Sequence, residues 1–211
     1  MTGPAVAFRV MLRMEIHPGM EAEFEEVWTR IGDGITSHPA NLGQWLSRGV
    51  DEPGVYYVVS DWVDEPRFRE FEHSEQHLRH RTALHPYRSA GSMTTMQVVR
   101  EMAGSAREPA AGRVRVLVHA AAPSTGPEEV SAAYHAVSRE LAGTPGLLGN
   151  ELLRSVSDPD RFAVLSEWRD PEAFEEWERG SAHRATTAPF RPLQTDGGGA
   201  FGVYEVVDRY A

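Results

Sequence analysis

The sequence predicts an α+β protein built from two ferredoxin-like repeats, each with the element order β-α-β-β-α-β. Two observations lead to this prediction: the second half of the chain repeats the first, and each half alternates strand-like and helix-like hydrophobic patterns. One sheet face of such a repeat is covered by its own helices, and the bare face must be buried. We therefore expect the two antiparallel sheets to face each other and form an intramolecular α+β barrel.

The repeat is visible without gaps over the middle of each half. A shift of 106 residues relates Ser60-Asp61-Trp62 to Ser166-Glu167-Trp168 and His77 to His183. About 15 of about 39 positions from Pro39 to His77 are identical after this shift, which indicates a tandem duplication. We place the first repeat at 1–101, a small and polar linker at 102–112, and the second repeat at 113–211.

The first strand and helix follow from their hydrophobic periodicity. Residues 8–16 alternate apolar and polar side chains, which predicts a half-buried strand. Apolar residues from Met20 to Ile35 then recur at helical spacing, and four glutamates fill the first turns, where the helix dipole favours carboxylates.

The rest of the repeat is read in the same way. Gln44–Val50 and Val55–Trp62 are predicted strands joined by a Pro-Gly turn. Asp64, or Asp170 in the second repeat, is placed to cap a second helix that continues past Phe71 to Leu78. A last strand is expected at about 92–100.

Composition excludes many kinds of chemistry. The 211 residues contain no Cys and no Lys, which removes thiolate nucleophiles, Cys-ligated metals and Schiff-base lysines. The net charge of −10 argues against a nucleic-acid surface, and no apolar run is long enough to span a membrane. The first residues show no signal-peptide pattern, so we expect a cytoplasmic protein. We further expect a monomer or homodimer whose partner is a small molecule.

The faces that the repeat preserves suggest where a ligand would bind. In the third strand Trp62 and Trp168 lie on the preserved face, and in the second strand Arg48 and Arg154 do. A Trp and an Arg in each half are suited to an anionic aromatic ligand, by stacking and charge pairing. The alternative is that the tryptophans fill the core and the arginines cap the rim. The ligand space would lie inside the barrel or between a sheet and its helices.

Histidines offer a base. His73, His77 and His80 have a spacing that could bind a metal on one helix face, but only His77 recurs, as His183, and no carboxylate has matching spacing. We therefore predict no metal site. His77 and His183 are the candidate general bases, because imidazole titrates near neutral pH. A purely structural role near a helix end is the alternative.

One segment of the second repeat resembles the signature of the antibiotic biosynthesis monooxygenase family. It runs from Ser166-Glu167-Trp168 through Asp170-Pro171 and Phe174 to His183. The first repeat carries the same pattern from Ser60 to His77, so the resemblance covers nearly the whole chain twice. It implies a dimeric α+β barrel fold, made here within one chain.

The resemblance also implies a function. Similar proteins include cofactor-independent monooxygenases that oxidise anthrone-type aromatic polyketides to quinones, and in them the matching tryptophan lies beside the substrate. An electron-rich phenolic substrate reduces dioxygen itself once deprotonated, so the protein supplies binding, orientation and a base. The sequence departs from those enzymes at two positions of each repeat: Val58 and Val164 replace an Asn, and Phe68 and Phe174 replace a Tyr.

These departures leave other contacts and other functions open. Further candidates for substrate binding are Trp45, Tyr57, Tyr87 and Asn150, and Gln44 is another polar residue that could take the place of the missing Asn. No cofactor is implied, although the missing Asn leaves externally supplied reduced flavin open. The haem-degrading branch would need a His where this chain has Arg81 and Thr187. A polyketide cyclase of the same fold and a non-catalytic binding barrel are the alternatives to the oxygenase.

Overall fold

The computed structural model describes residues 8–103, 112–124, 126–195 and 201–210. Their contacts divide into two units: unit 1 holds residues up to Gln97 together with 206–210, and unit 2 holds Val98–Glu205. The predicted linker at 102–112 lies mostly outside the described residues, and strand β4 continues through its first two positions to Ala103.

Unit 1 has the predicted order of elements. The described elements of the first half are β1 (Phe8–Ile16), α1 (Glu21–Thr36), β2 (Asn41–Gly49), β3 (Val55–Trp62), α2 (Glu65–Glu72), α3 (Glu75–Leu84) and β4 (Arg88–Ala103). All pairings within the unit are antiparallel, and the strands lie in the order β4-β1-β3-β2.

Unit 2 repeats this arrangement. The described elements of the second half are β5 (Val114–Ala121), α4 (Pro127–Leu141), β6 (Leu147–Ser155), β7 (Arg161–Trp168), α5 (Pro171–Arg179), α6 (His183–Thr187) and β8 (Phe201–Tyr210). The order β8-β5-β7-β6 is again antiparallel. The α+β class and the two ferredoxin-like repeats are thus confirmed, whereas closure of the two sheets into one barrel stays a prediction.

The second helix of each repeat is broken, where the sequence predicted a continuous one. Helix α2 ends at Glu72, and α3 begins only at Glu75, because the Ser74 side chain accepts a hydrogen bond from the His77 backbone N–H and caps a new helix. The predicted caps at the preceding turn are confirmed: Asp64 accepts from Arg67 N at 2.9 Å and Asp170 from Ala173 N at 2.8 Å.

Each unit buries one face of its sheet beneath its helices. In unit 1 the buried cluster joins Phe24 and Trp28 of α1 to Tyr56 and Trp62 of β3. The opposite face carries an ion pair in which Arg9 Nε lies 2.6 Å from Asp61 Oδ1, and unit 2 repeats it with Arg115 and Glu167 at 3.0 Å. The helix-covered face is the one that the repeat preserves.

Candidate functional site

Each unit contains a cavity between its sheet and its helices. The unit 1 cavity measures about 370 Å³ and the unit 2 cavity about 340 Å³. Both lie on the helix-covered face, which was one of the two places expected from the sequence. Both walls are mainly apolar and aromatic, with a few polar side chains, as is usual for sites that bind small organic molecules.

The tryptophan of β3 forms one wall of the unit 1 cavity. Trp62 is almost fully buried, and its Nε1 donates to Ser60 Oγ at 2.9 Å. Its ring centroid lies 5.4 Å from that of Phe68 and 4.9 Å from that of Phe71. The hydrogen bond and these ring contacts fix the orientation of the indole, so that a flat ligand would meet a rigid surface.

Unit 2 reproduces this wall. Trp168 Nε1 donates to Ser166 Oγ at 3.0 Å, and the Trp168 ring lies 5.5 Å from Phe174 and 5.2 Å from Trp177. The serine that precedes each tryptophan by two residues therefore orients it in both repeats, which accounts for the repeated Ser-x-Trp pattern.

His77 lies in the unit 1 cavity wall as a neutral imidazole. Its ring centroid is 4.9 Å from that of Phe71. Burial, together with the neighbouring Arg81 and His80 and against an opposing effect of Glu72, lowers the pKa of His77 from its ordinary value of 6.5 to about 4. At neutral pH this imidazole is therefore unprotonated and has a free lone pair, although the same burial makes it a weaker base than an exposed histidine.

His183 occupies the equivalent place in unit 2 with its tautomer set by a hydrogen bond. The ring stacks on Trp177 at 4.4 Å with an interplanar angle of 16°, and Nδ1 lies 2.9 Å from the Glu178 carbonyl oxygen. Because a carbonyl oxygen only accepts, Nδ1 carries the proton and Nε2 of the neutral ring keeps its lone pair. Nε2 is therefore the atom that can act as a base.

Asn150 lines the unit 2 cavity, where the sequence placed a substrate contact, but its carbonyl is already engaged. The Tyr134 hydroxyl donates to Asn150 Oδ1 at 2.6 Å, and Ser138 Oγ lies 3.3 Å from the same atom. Burial raises the pKa of Tyr134 to about 12, so its hydroxyl stays protonated and keeps donating. Gln44 holds the equivalent place in unit 1.

The two arginines expected to hold an anion lie away from the described cavity walls. Arg48 pairs with Glu25 at 3.3 Å near the end of β2, and Arg154 Nε donates to the Pro159 carbonyl at 2.7 Å while its guanidinium covers Phe162. Both share the expected strand face near the end of the strand, and neither is among the residues that line the two cavities. A role for them in substrate binding stays a prediction.

Three aromatic candidates also lie outside the described walls. Trp45 and Tyr57 are buried on the opposite sheet face, where the Arg9 guanidinium lies 5.4 Å from the Trp45 ring. Tyr87 packs against the core from the short 3₁₀ turn before β4. Of the residues predicted from sequence, the cavities bring together Trp62 with His77, and Trp168 with His183 and Asn150.

Several polar wall residues were missed by the sequence analysis. In unit 1 they are His80, Arg81 and Arg88, and in unit 2 they are Tyr134, Ser138, Arg191 and Gln194. Gln44, which the repeat aligns with Asn150, was a candidate and does line the unit 1 cavity. Arg81 and Arg88 come from α3 and from the start of β4, and Arg191 comes from a short 3₁₀ turn, where the repeat is weak.

Neither a metal site nor a membrane span is found in the part of the chain that the structure describes. No three His, Asp or Glu side chains there lie close enough to hold a metal ion. Likewise, no described helix has the length and hydropathy needed to cross a membrane.

With this geometry established, sequence comparison identifies the family. Residues 7–83 and 113–189 each match the family described as antibiotic biosynthesis monooxygenase. The chain belongs to the antibiotic biosynthesis monooxygenase family. Both matched ranges contain the tryptophan and histidine of their own cavity, so the duplicated family domain and the duplicated cavity coincide.

Family relatives are similar over only part of their length. Protein SchA of Streptomyces halstedii is 28% identical over 95 residues, which is 45% of this chain and 25% of SchA. A mycobilin-producing heme oxygenase of Mycobacterium tuberculosis strain H37Rv is 40% identical over 42 residues, covering 20% of this chain and 40% of that enzyme. The chain thus spans well under two thirds of these relatives.

Solved structures extend the family fold to nearly the whole chain. A Fusobacterium nucleatum protein assigned as a monooxygenase matches with a TM-score of 0.77 at 9% identity, covering 97% of this chain and 94% of that one. An anthrone oxidase-like protein matches with a TM-score of 0.74 at 17% identity, covering 97% and 93%. At these identities the likeness establishes the fold.

Proposed function

We propose that this family member is a tailoring monooxygenase that oxidises a polycyclic aromatic polyketide of the anthrone or phenol type with dioxygen and without a metal. The observation that supports it is the pairing, in each unit, of a rigid tryptophan wall with a histidine at a largely apolar cavity. Such a cavity accommodates flat rings, and an imidazole nitrogen beside them is placed to take a proton from the substrate.

The protein's part in the reaction is binding and proton transfer. The imidazole removes a proton from the activated carbon of an anthrone, and the resulting electron-rich anion reduces dioxygen. The carbon gains one oxygen atom as a carbonyl, the other oxygen leaves as water, and the four electrons all come from the substrate. Trp62 or Trp168 holds the rings in place, and the apolar wall keeps bulk water from the anion.

The haem chemistry of the mycobacterial relative does not fit the residues present. The positions at which the haem-degrading branch would carry its axial histidine hold Arg81 and Thr187, both of which line the cavities. Guanidinium and hydroxyl groups do not replace an imidazole as an axial ligand of haem iron.

Oxygen uptake with dithranol as the anthrone tests the proposal. We expect uptake above the enzyme-free rate, unchanged by a chelator and reduced at least tenfold by His77→Gln, His183→Gln or both. Uptake at the enzyme-free rate would overturn the oxygenase. If a linear polyketide is then cyclised, the protein is a cyclase, and if dithranol binds without turnover, it is a binding protein.

A second arm tests the need for a reductant. Reduced flavin is added to the same assay under otherwise equal conditions, with its own oxidation by dioxygen subtracted. Uptake that depends on the added flavin would contradict substrate-driven reduction of dioxygen, because the electrons would then come from outside the substrate.

A further inference from the structure

The two cavities differ in charge at positions that the repeat makes equivalent. The shift of 106 residues relates Arg81 to Thr187 and Arg88 to Gln194, and all four side chains line their cavities. Unit 1 therefore presents two guanidinium groups where unit 2 presents a hydroxyl and an amide. The arginine of the unit 2 cavity, Arg191, comes from a different position, and its Nε donates to Thr187 Oγ1 at 3.0 Å.

The two unit 1 arginines have no carboxylate partner among the described residues, whereas most of the arginines around them do. Arg69, on the preceding helix, lies 3.0 Å from Glu65 and 2.9 Å from Glu72, and thereby occupies the one glutamate that lines this cavity. Arg81 is exposed and Arg88 half-buried, so both can reach a ligand that enters the cavity. Two unpaired guanidinium groups beside an aromatic wall favour an anion.

The inner walls differ as well. Gln44 is almost fully buried, and its Nε2 donates to the Gly32 carbonyl at 3.0 Å, which leaves Oε1 as an acceptor that no described residue satisfies. In unit 2 the equivalent Asn150 Oδ1 accepts from the phenolic hydroxyl of Tyr134. A buried acceptor without a donor costs free energy, and a hydroxyl on a ligand relieves that cost. At this pair of equivalent positions, the unit 1 cavity thus has a buried acceptor without a hydrogen-bond donor, and the unit 2 cavity does not.

We propose that the unit 1 cavity binds the substrate and that this substrate is a hydroxylated polycyclic aromatic carboxylate, whose carboxylate pairs with Arg81 and Arg88. The rings lie against Trp62, and a ring hydroxyl faces the inner wall at Gln44. A carboxylate is charged throughout the neutral pH range, whereas a phenol with a pKa near 10 is mostly uncharged there. A carboxylate therefore forms ion pairs with the two guanidinium groups at neutral pH, and a phenol does not. This proposal rests on the proposed function, which supplies the aromatic rings of the substrate. It adds that the substrate carries a carboxylate and that it binds in the unit 1 cavity.

Binding of two matched quinones tests the proposal without any turnover. Rhein is a dihydroxyanthraquinone carboxylate, and aloe-emodin has the same rings with a hydroxymethyl group in place of the carboxylate. Dissociation constants are measured by titration calorimetry at low and high salt for the full chain, for the double variant Arg81→Gln/Arg88→Gln and for Arg191→Gln. The glutamines keep the reach and hydrogen bonds of the side chains and remove their charge.

We expect rhein to bind the wild-type protein at least tenfold more tightly than aloe-emodin, with an advantage that shrinks at high salt. The double variant should lose that advantage and keep its affinity for aloe-emodin, while Arg191→Gln should bind both ligands as the wild type does. Equal affinity for the two quinones in the wild type, or a larger loss of rhein binding in Arg191→Gln, would overturn the proposal. Because quinones are already oxidised, this result is independent of the oxygen-uptake assay.

Discussion

Acidification should destabilise this protein through His77, in a range set by its lowered pKa. Burial lowers that pKa from 6.5 to about 4, and Arg81 and His80 act in the same direction. The unfolded chain therefore binds the proton first as the pH falls, and between pH 6.5 and about 4 it binds more protons at this residue than the folded protein does. The contribution of the neutral imidazole to the free energy of unfolding is fully present above pH 6.5 and is lost as the pH falls toward 4.

The size of the effect follows from proton linkage. One proton bound only by the unfolded state gives a slope of at most about 1.4 kcal/mol per pH unit in the free energy of unfolding. His77 is half-buried, so water screens part of the interaction, and we expect a slope clearly below that ceiling.

Urea unfolding of the wild type, His77→Gln and Leu78→Gln at several pH values between 4.5 and 7 measures the slope. The His77→Gln variant should show a shallower loss of stability on acidification than the wild type, because its side chain does not titrate. Leu78→Gln changes an exposed neighbour on the same helix and should keep the wild-type slope. Equal slopes for the wild type and His77→Gln would refute the claim that the folded protein holds this imidazole neutral.

Three further substitutions test the framework around the cavity. Ser60→Ala removes the acceptor of the buried Trp62 indole N–H, and calorimetric unfolding should show a loss of about 1–3 kcal/mol, whereas an unchanged stability would mean that the bond contributes nothing. Arg9→Met leaves the Asp61 carboxylate buried without this partner and should cost about 3–5 kcal/mol in urea unfolding at pH 7, whereas an unchanged stability would contradict a contribution from the pair. Asp64→Ala removes the cap of α2 and should cost about 1 kcal/mol, while Asp64→Asn, which keeps an accepting oxygen, should restore most of it.

The helix broken after Glu72 shows why sequence patterns located the histidines but not their environment. Apolar spacing from Phe68 to Leu78 is compatible with one continuous helix, and nothing in it marks a new start. The break depends on a single side chain, Ser74, which accepts from the His77 backbone and begins α3. The histidine thereby lies at the start of a helix and against Phe71, where burial lowers its pKa.

The sequence by itself determined the duplicated ferredoxin-like fold, the helix caps and the cavity-facing Trp62 and Trp168, because each follows from local periodicity, spacing or the internal repeat. Only the tertiary structure decided which polar groups meet at a cavity. Arg48 and Arg154 share the expected strand face but are not among the cavity-lining residues, whereas Arg81 and Arg88 line the unit 1 cavity from α3 and the start of β4. Side-chain alternation gives the face of a strand, but the distance along the strand and the approach of a neighbouring element depend on packing across the whole unit.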